Sequence, residues 1–226
     1  MATMVSTRPV IQKGAGGGPG MPGPNGNGSK RGDPFRDPDA RANRYRIGMW
    51  VGLASIAMMF TSLSSAYIVR SGTAADWVPL RIPRVMFLST ALIMISSVTI
   101  EVARRKLKQG FAERYSRYLM LTGILGVAFL AAQIISWRQL ASQGIYVSTH
   151  PHSSFFYLLT GAHGVHIAGG LLALLVLWLR SRRKPGNSPS PAFVATRQAM
   201  ADAVSIYWHF MDGLWIYLFL LLILWR

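Results

Sequence analysis

The chain has 226 residues, 51% of them hydrophobic, with a formal net charge of +16 at neutral pH and no cysteine. The missing cysteine excludes disulfides, thiolate metal sites and cysteine nucleophiles. The positive charge raises nucleic-acid binding as a possibility, because clustered Lys and Arg neutralise phosphates, but where the charges fall argues against it.

Residues 1–43 come first and include "GAGGGPGMPGPNGNG". They are too rich in Gly and Pro, and too poor in large apolar groups, to fold alone, so a disordered cytoplasmic tail is expected. The tail lacks the apolar core of a cleaved signal, which leaves the first apolar run to direct insertion. Residues 44–226 then form a single domain with five apolar runs, at 47–69, 85–103, 118–137, 155–179 and 203–225. Each is long enough to cross a hydrocarbon core of roughly 30 Å at about 1.5 Å per residue. Backbone amides in lipid must be satisfied within their own segment, so the runs are read as helices. The predicted fold class is all-α, an integral membrane bundle of five transmembrane helices.

Lys and Arg alternate in density along the connections. Nineteen lie in the tail and in the second and fourth connections, against five in the others. The positive-inside rule places the N-terminus in the cytoplasm and the C-terminus outside, in a bacterial-type inner membrane. Clusters such as "ARRKLK" and "RSRRK" are then inner-face flanks suited to anionic headgroups, and nucleic acid is not an expected partner. Small residues at Ala57, Thr61 and Ser65, and at Gly164 and Ala168, recur every four positions, which predicts close helix contact within the bundle.

Ionisable groups inside a span are costly and therefore draw attention: Glu101, His163, His166, His209 and Asp212. Glu101 is followed by Arg104 and Arg105 at i+3 and i+4, the spacing of an interfacial ion pair. Counted from the ends of their runs, His166 lies about 16 Å below the outer surface and Asp212 about 13 Å above the inner one. Similar depth predicts a hydrogen-bonded pair between the fourth and fifth helices. Two histidines facing each other could hold haem, and two histidines with an aspartate could hold zinc. A structural clamp that holds a lipid or supports a partner, and a proton or ion relay, are the other readings of this set.

"FFYLLTGAHGVHIAGGL" and "IYWHFMDGLWIYLFLLL" resemble two helices of subunit III of the haem-copper terminal oxidases. "RIGMWVGLASIAMMFTSLSSAYIVR" and "STALIMISSVTIEVARR" are similar to two more, in the same order. The likeness covers about residues 45–226 and resembles the five-helix form of that subunit. It implies a non-catalytic subunit of a proton-pumping oxidase that reduces O2 to water, with electrons from cytochrome c or a quinol. It implies haem and copper in partner subunits and none in this chain, so no catalytic, cofactor or metal residue is expected here. The implied partners are subunit I directly, subunit II, a place for a small subunit IV, and bound phospholipid. His163, His166, His209 and Asp212 occupy family-motif positions. Ile56 stands where the family usually has an acidic residue, and an isoleucine can neither ionise nor donate a proton, so no mechanism resting on that carboxylate carries over. A nitric-oxide-reductase accessory protein of the same family and an independent membrane carrier are the alternatives.

Overall fold

The computed structural model describes residues 38–73, 84–144, 151–182 and 191–224. Five helices account for nearly all of them: α1 (Pro38–Thr73), α2 (Val85–Lys108), α3 (Ala112–Ser142), α4 (Pro151–Arg182) and α5 (Pro191–Leu224). Each contains a stretch long and apolar enough to cross a membrane. Among the described residues there is no strand. The all-α expectation holds, and all five predicted runs fall on helices, with Trp225 of the fifth lying outside the described residues.

The helices overshoot the predicted runs. α1 has 36 residues and α5 has 34, lengths of about 50 Å at the usual helical rise, well beyond the hydrocarbon thickness. Hydropathy marks only the lipid-facing part of a helix, whereas the backbone ladder continues through the polar interface. Of the expected tail, residues 1–37 lie outside the described residues, and 38–43 belong to α1.

Helices α2 and α3 form a hairpin. Three residues join them: Gln109 caps α2, Gly110 adopts a positive φ of 82°, and the chain reverses at Phe111. The Gly110 N–H donates to the Leu107 carbonyl and the Phe111 N–H to that of Lys106, the paired bonds of a Schellman ending. A side chain at Gly110 would meet the left-handed steric penalty. The hairpin contact is the most extensive in the bundle; α3 then packs on α4, and α5 packs on α1, α2 and α4.

The surface inverts the pattern of a soluble protein. Large apolar side chains such as Trp50, Met58, Val98, Ile124, Val165 and Leu172 are exposed, while Ser64, Ser89, Ser96, Thr122, Gln133 and Ser136 are buried. Lipid tails are as apolar as leucine, so no hydrophobic force separates inside from outside, and polar groups gain by turning inward to one another. The core combines that polar set with Phe60, Phe129, Phe156, Met211, Trp215 and Leu218. A second cluster at one end joins Ile100, Tyr115, Leu119, Leu174, Leu177 and Trp208.

Glycine decides where α5 can sit. A Cβ on Gly126 of α3 would lie 2.8 Å from the Trp208 ring and 2.9 Å from Leu171, and one on Gly170 of α4 would lie 3.0 Å from Tyr207 and 3.2 Å from Trp208. The two glycines thus form the slot that receives the Trp208 indole. The small residues of α1 behave differently: Thr61 and Ser65 are exposed, and Thr61 donates to its own helix at Ala57. Ala57 is partly buried and the other two turn away from the bundle, so among the described residues the expected close contact does not form at Thr61 and Ser65. Periodicity identifies a face, but not the neighbour it meets.

Replacing Gly126 by leucine should drive overpacking against Trp208 and cost about 1–3 kcal/mol. Gly123, one turn earlier, has no atom within 4 Å of its would-be Cβ, so Gly123→Ala should be nearly silent. Thermal unfolding of the detergent-solubilised variants tests both, and equal losses would contradict the slot.

Candidate functional site

The polar residues singled out by sequence separate into two groups. The first lies between α2 and α5 at the end of the bundle where α2 closes and α5 begins. Glu101 accepts from Arg104 Nε at 2.9 Å and Nη2 at 3.1 Å, and from Arg105 Nε at 3.0 Å. The expected i+3 and i+4 pairing is therefore present. Arg104 also reaches across to Asp202 of α5 at 3.3 Å, and Lys108 lies 3.5 Å from the same oxygen. His209 Nε2 stands 4.0 Å from Glu101, and its Nδ1 is 2.7 Å from the Ser97 hydroxyl.

This cluster stitches α2 to α5 through partly exposed charges. Such pairs are worth little each in water, where solvent screens them. At the membrane interface they additionally keep carboxylates and guanidiniums from facing lipid alone. Sequence reasoning missed Asp202 and Ser97, because their partners lie about a hundred residues away in the chain.

The second group lies in the core. His163 is buried, with its ring centroid 5.2 Å from that of Trp215, 5.9 Å from that of Phe129 and 6.4 Å from that of Phe60. Neither ring nitrogen has a hydrogen-bond partner among the described residues. His166, less than one turn later, is only partly buried; its Nδ1 lies 2.7 Å from the Ala162 carbonyl, and its own carbonyl accepts from Tyr207 Oη at 2.8 Å. Asp212 is buried, and the Ser97 hydroxyl of α2 faces its carboxylate.

The predicted pair of His166 and Asp212 therefore does not form. Depth along the bundle fixes only one coordinate, and the direction around each helix axis separates the two side chains. His163, not His166, points into the core, and there it meets aromatic rings instead of a carboxylate.

Buried polar contacts instead converge on α2. Trp208 Nε1–H donates to Ser96 Oγ at 3.0 Å, and Trp215 Nε1–H donates to Thr90 Oγ1 at 3.0 Å. From α3, Gln133 Nε2–H donates to Ser89 Oγ at 3.1 Å, and the Thr122 and Thr99 hydroxyls lie 2.8 Å apart. Between α3 and α4, Trp137 Nε1–H donates to Thr160 Oγ1 at 3.2 Å. Ile56 is partly buried and packs against the aromatic core, one turn before Phe60.

Among the described residues no three His, Asp or Glu side chains gather closely enough to hold a metal ion. The zinc reading needs two histidines and an aspartate together, and no such group forms among the described residues. The described site is a set of interhelical polar contacts.

Comparison with known proteins places this geometry. The profile of cytochrome c oxidase subunit III matches residues 39–226, spanning all five helices. The chain belongs to the cytochrome c oxidase subunit III family. A "probable cytochrome c oxidase subunit 3" of Nocardia farcinica is 31% identical over 183 residues, covering 79% of this chain and 87% of its own. The "cytochrome c oxidase subunit 3" of Thermostichus vulcanus is 33% identical over 180 residues, with 78% and 85% covered. That of a Bacillus species is 29% identical over 192 residues, with 82% and 88% covered. The resemblance read from the motifs is thereby upheld, and with it a multi-pass membrane protein of an oxidase family.

The orphaned imidazole of His163 generates a prediction for this subunit III protein. Phenylalanine would keep the ring packing and remove two unpaired polar atoms, so His163→Phe should be neutral or stabilising by up to about 1 kcal/mol. His163→Ala should cost about 2–5 kcal/mol through the cavity it leaves. Unfolding midpoints in detergent distinguish the two, and a large loss in the phenylalanine variant would reveal an imidazole hydrogen bond to a group outside the described residues.

Proposed function

We propose that this chain is the non-catalytic third subunit of a proton-pumping haem-copper terminal oxidase, in a complex that reduces O2 to water. The single observation carrying the reading is the family match across the whole five-helix bundle, 39–226. Haem and copper belong to the partner subunits in this reading, subunit I packs directly beside the bundle, and subunit II and a small subunit IV complete the complex. The names of the relatives, all cytochrome c oxidase subunits, favour cytochrome c over a quinol as electron donor. Bound phospholipid, sustained proton uptake and stability of the complex are what the subunit contributes.

The interhelical contacts support a scaffold role. Indole, hydroxyl and amide groups are spent on holding helices together, and the charged cluster of Glu101, Arg104 and Asp202 ties α2 to α5. With Ile56 at the usual acidic position, support of proton uptake runs through other groups or through the shape of the interface.

The chain resides in a bacterial-type cell membrane, with its N-terminus in the cytoplasm. The asymmetry of nineteen against five basic residues between alternate segments supports that orientation.

Gentle solubilisation should find the chain migrating with a large haem-bearing polypeptide, and the chain purified alone should show no Soret band. Transport by the isolated chain in liposomes would favour the carrier reading instead. Because the sequence has no cysteine, single introduced thiols report topology without background. A membrane-impermeant maleimide applied from outside should label Ser148→Cys and spare Ser188→Cys, and the reverse pattern would invert the topology.

A further inference from the structure

The helices around α5 form a ring with one opening. α2 packs on α3, α3 on α4 and α4 on α1, and α5 lies against α1, α2 and α4, but among the described residues α1 and α2 do not touch. The opening between them is a groove with α5 as its floor. From residue 196 to 224 the exposed residues of α5 are His209, Gly213, Tyr217, Leu220 and Leu224, three or four apart and therefore on one stripe. We propose that this groove receives one transmembrane helix of a partner subunit, whose backbone approaches Gly213 and which presents a polar side chain to His209.

The length of the stripe argues for a helix. From Asp202, half-buried at the foot of the same line, to Leu224 it rises about 33 Å. That matches a whole hydrocarbon core of roughly 30 Å, both leaflets together. The floor also has room for close approach, since no atom lies within 4 Å of a Cβ placed on Gly213. A small residue at the middle of an uncovered membrane stripe lets a second backbone come near, which is how helices associate where no hydrophobic force drives them.

The chemistry of the stripe agrees with its length. His209 lies about 9 Å into the hydrocarbon, counted from the start of the apolar run at residue 203. Its Nδ1 is engaged by Ser97 at 2.7 Å, while Nε2 stands 4.0 Å from Glu101, beyond hydrogen-bond reach, on a side chain that is 40% exposed. An imidazole at such depth ordinarily faces a bundle interior or a water-filled cavity. Here it faces out of this chain, so the interior it belongs to is completed by another polypeptide. Acyl chains offer it neither donor nor acceptor, whereas a helix carrying a hydroxyl, amide or carboxylate offers one or both. Beside it the three cations Arg104, Arg105 and Lys108 outnumber the carboxylates of Glu101 and Asp202, a balance that complements an acidic side chain on the partner at this end of the groove.

The inference rests on the reading of this chain as a subunit of a larger complex, and the experiment separates the two. The whole complex is purified with p-benzoylphenylalanine, a photoreactive residue, in place of Tyr217 or of Leu220, and is illuminated in the membrane. Both positions should join this chain to one other polypeptide. Adducts only to phospholipid, only to a second copy of this chain, or to nothing, from a complex that still migrates with its haem-bearing partner, would overturn the groove and leave the subunit reading intact. In parallel, Gly213→Trp fills the floor and should lower the partner recovered per copy of this chain about tenfold or more, whereas Gly123→Trp, equally open but on α3, should leave recovery unchanged. Full recovery with Gly213→Trp would refute the docking; if that variant fails to fold, the crosslinks decide. Wild-type protein that migrates with no partner at all would remove the subunit reading and the proposed occupant with it.

Discussion

Hydroxyl groups on α2 are the constraint on which the bundle depends. In hydrocarbon no water is at hand to satisfy an indole N–H or an amide, so such a donor on one helix gains by finding an acceptor on another. Ser89, Thr90, Ser96 and Thr99 offer four such partners along a single helix, taken by Gln133, Trp215, Trp208 and Thr122. Individually these bonds are modest, about 0.6 kcal/mol on average between membrane helices. Their value is positional: two bonds from α5 at residues seven apart, and two from α3, fix the rotation of both helices about α2.

That spine explains why two glycines matter so much. For the Trp208 indole to reach Ser96, its ring must pass between α3 and α4, and any side chain at Gly126 or Gly170 would obstruct it. Local backbone economy, which disfavours glycine within a helix, yields here to close packing. The aromatic core extends the same logic, with His163 accommodated edge to face among Phe60 and Phe129 and tilted against Trp215.

What could be read from the sequence follows from which interactions are local. Five apolar runs and the pairing of Glu101 with Arg104 and Arg105 depend on neighbours within one helix, and both are found as expected. Helix ends could not be read, since hydropathy stops where lipid stops. His166 and Asp212 were matched by depth, yet rotation about two helix axes set them apart, and rotation is fixed by tertiary contacts. The roles of Trp208 and Trp215 were visible only as members of a motif; their acceptors lie on α2, more than a hundred residues earlier. Likewise the stripe on α1 announced a face suited to close approach and could not say that Thr61 and Ser65 stay exposed among the described residues.

The way α5 touches α1, α2 and α4 has a consequence for biogenesis. The contact of α2 with α3, joined by a three-residue turn, forms within a short span of sequence, so the two can enter the bilayer as a paired unit during synthesis. Of the five described helices α1 is made before the others, but much of its contact is with α5. The bundle therefore stays open until α5 is made, and loss of that helix would disable three interfaces at once, out of proportion to the residues removed.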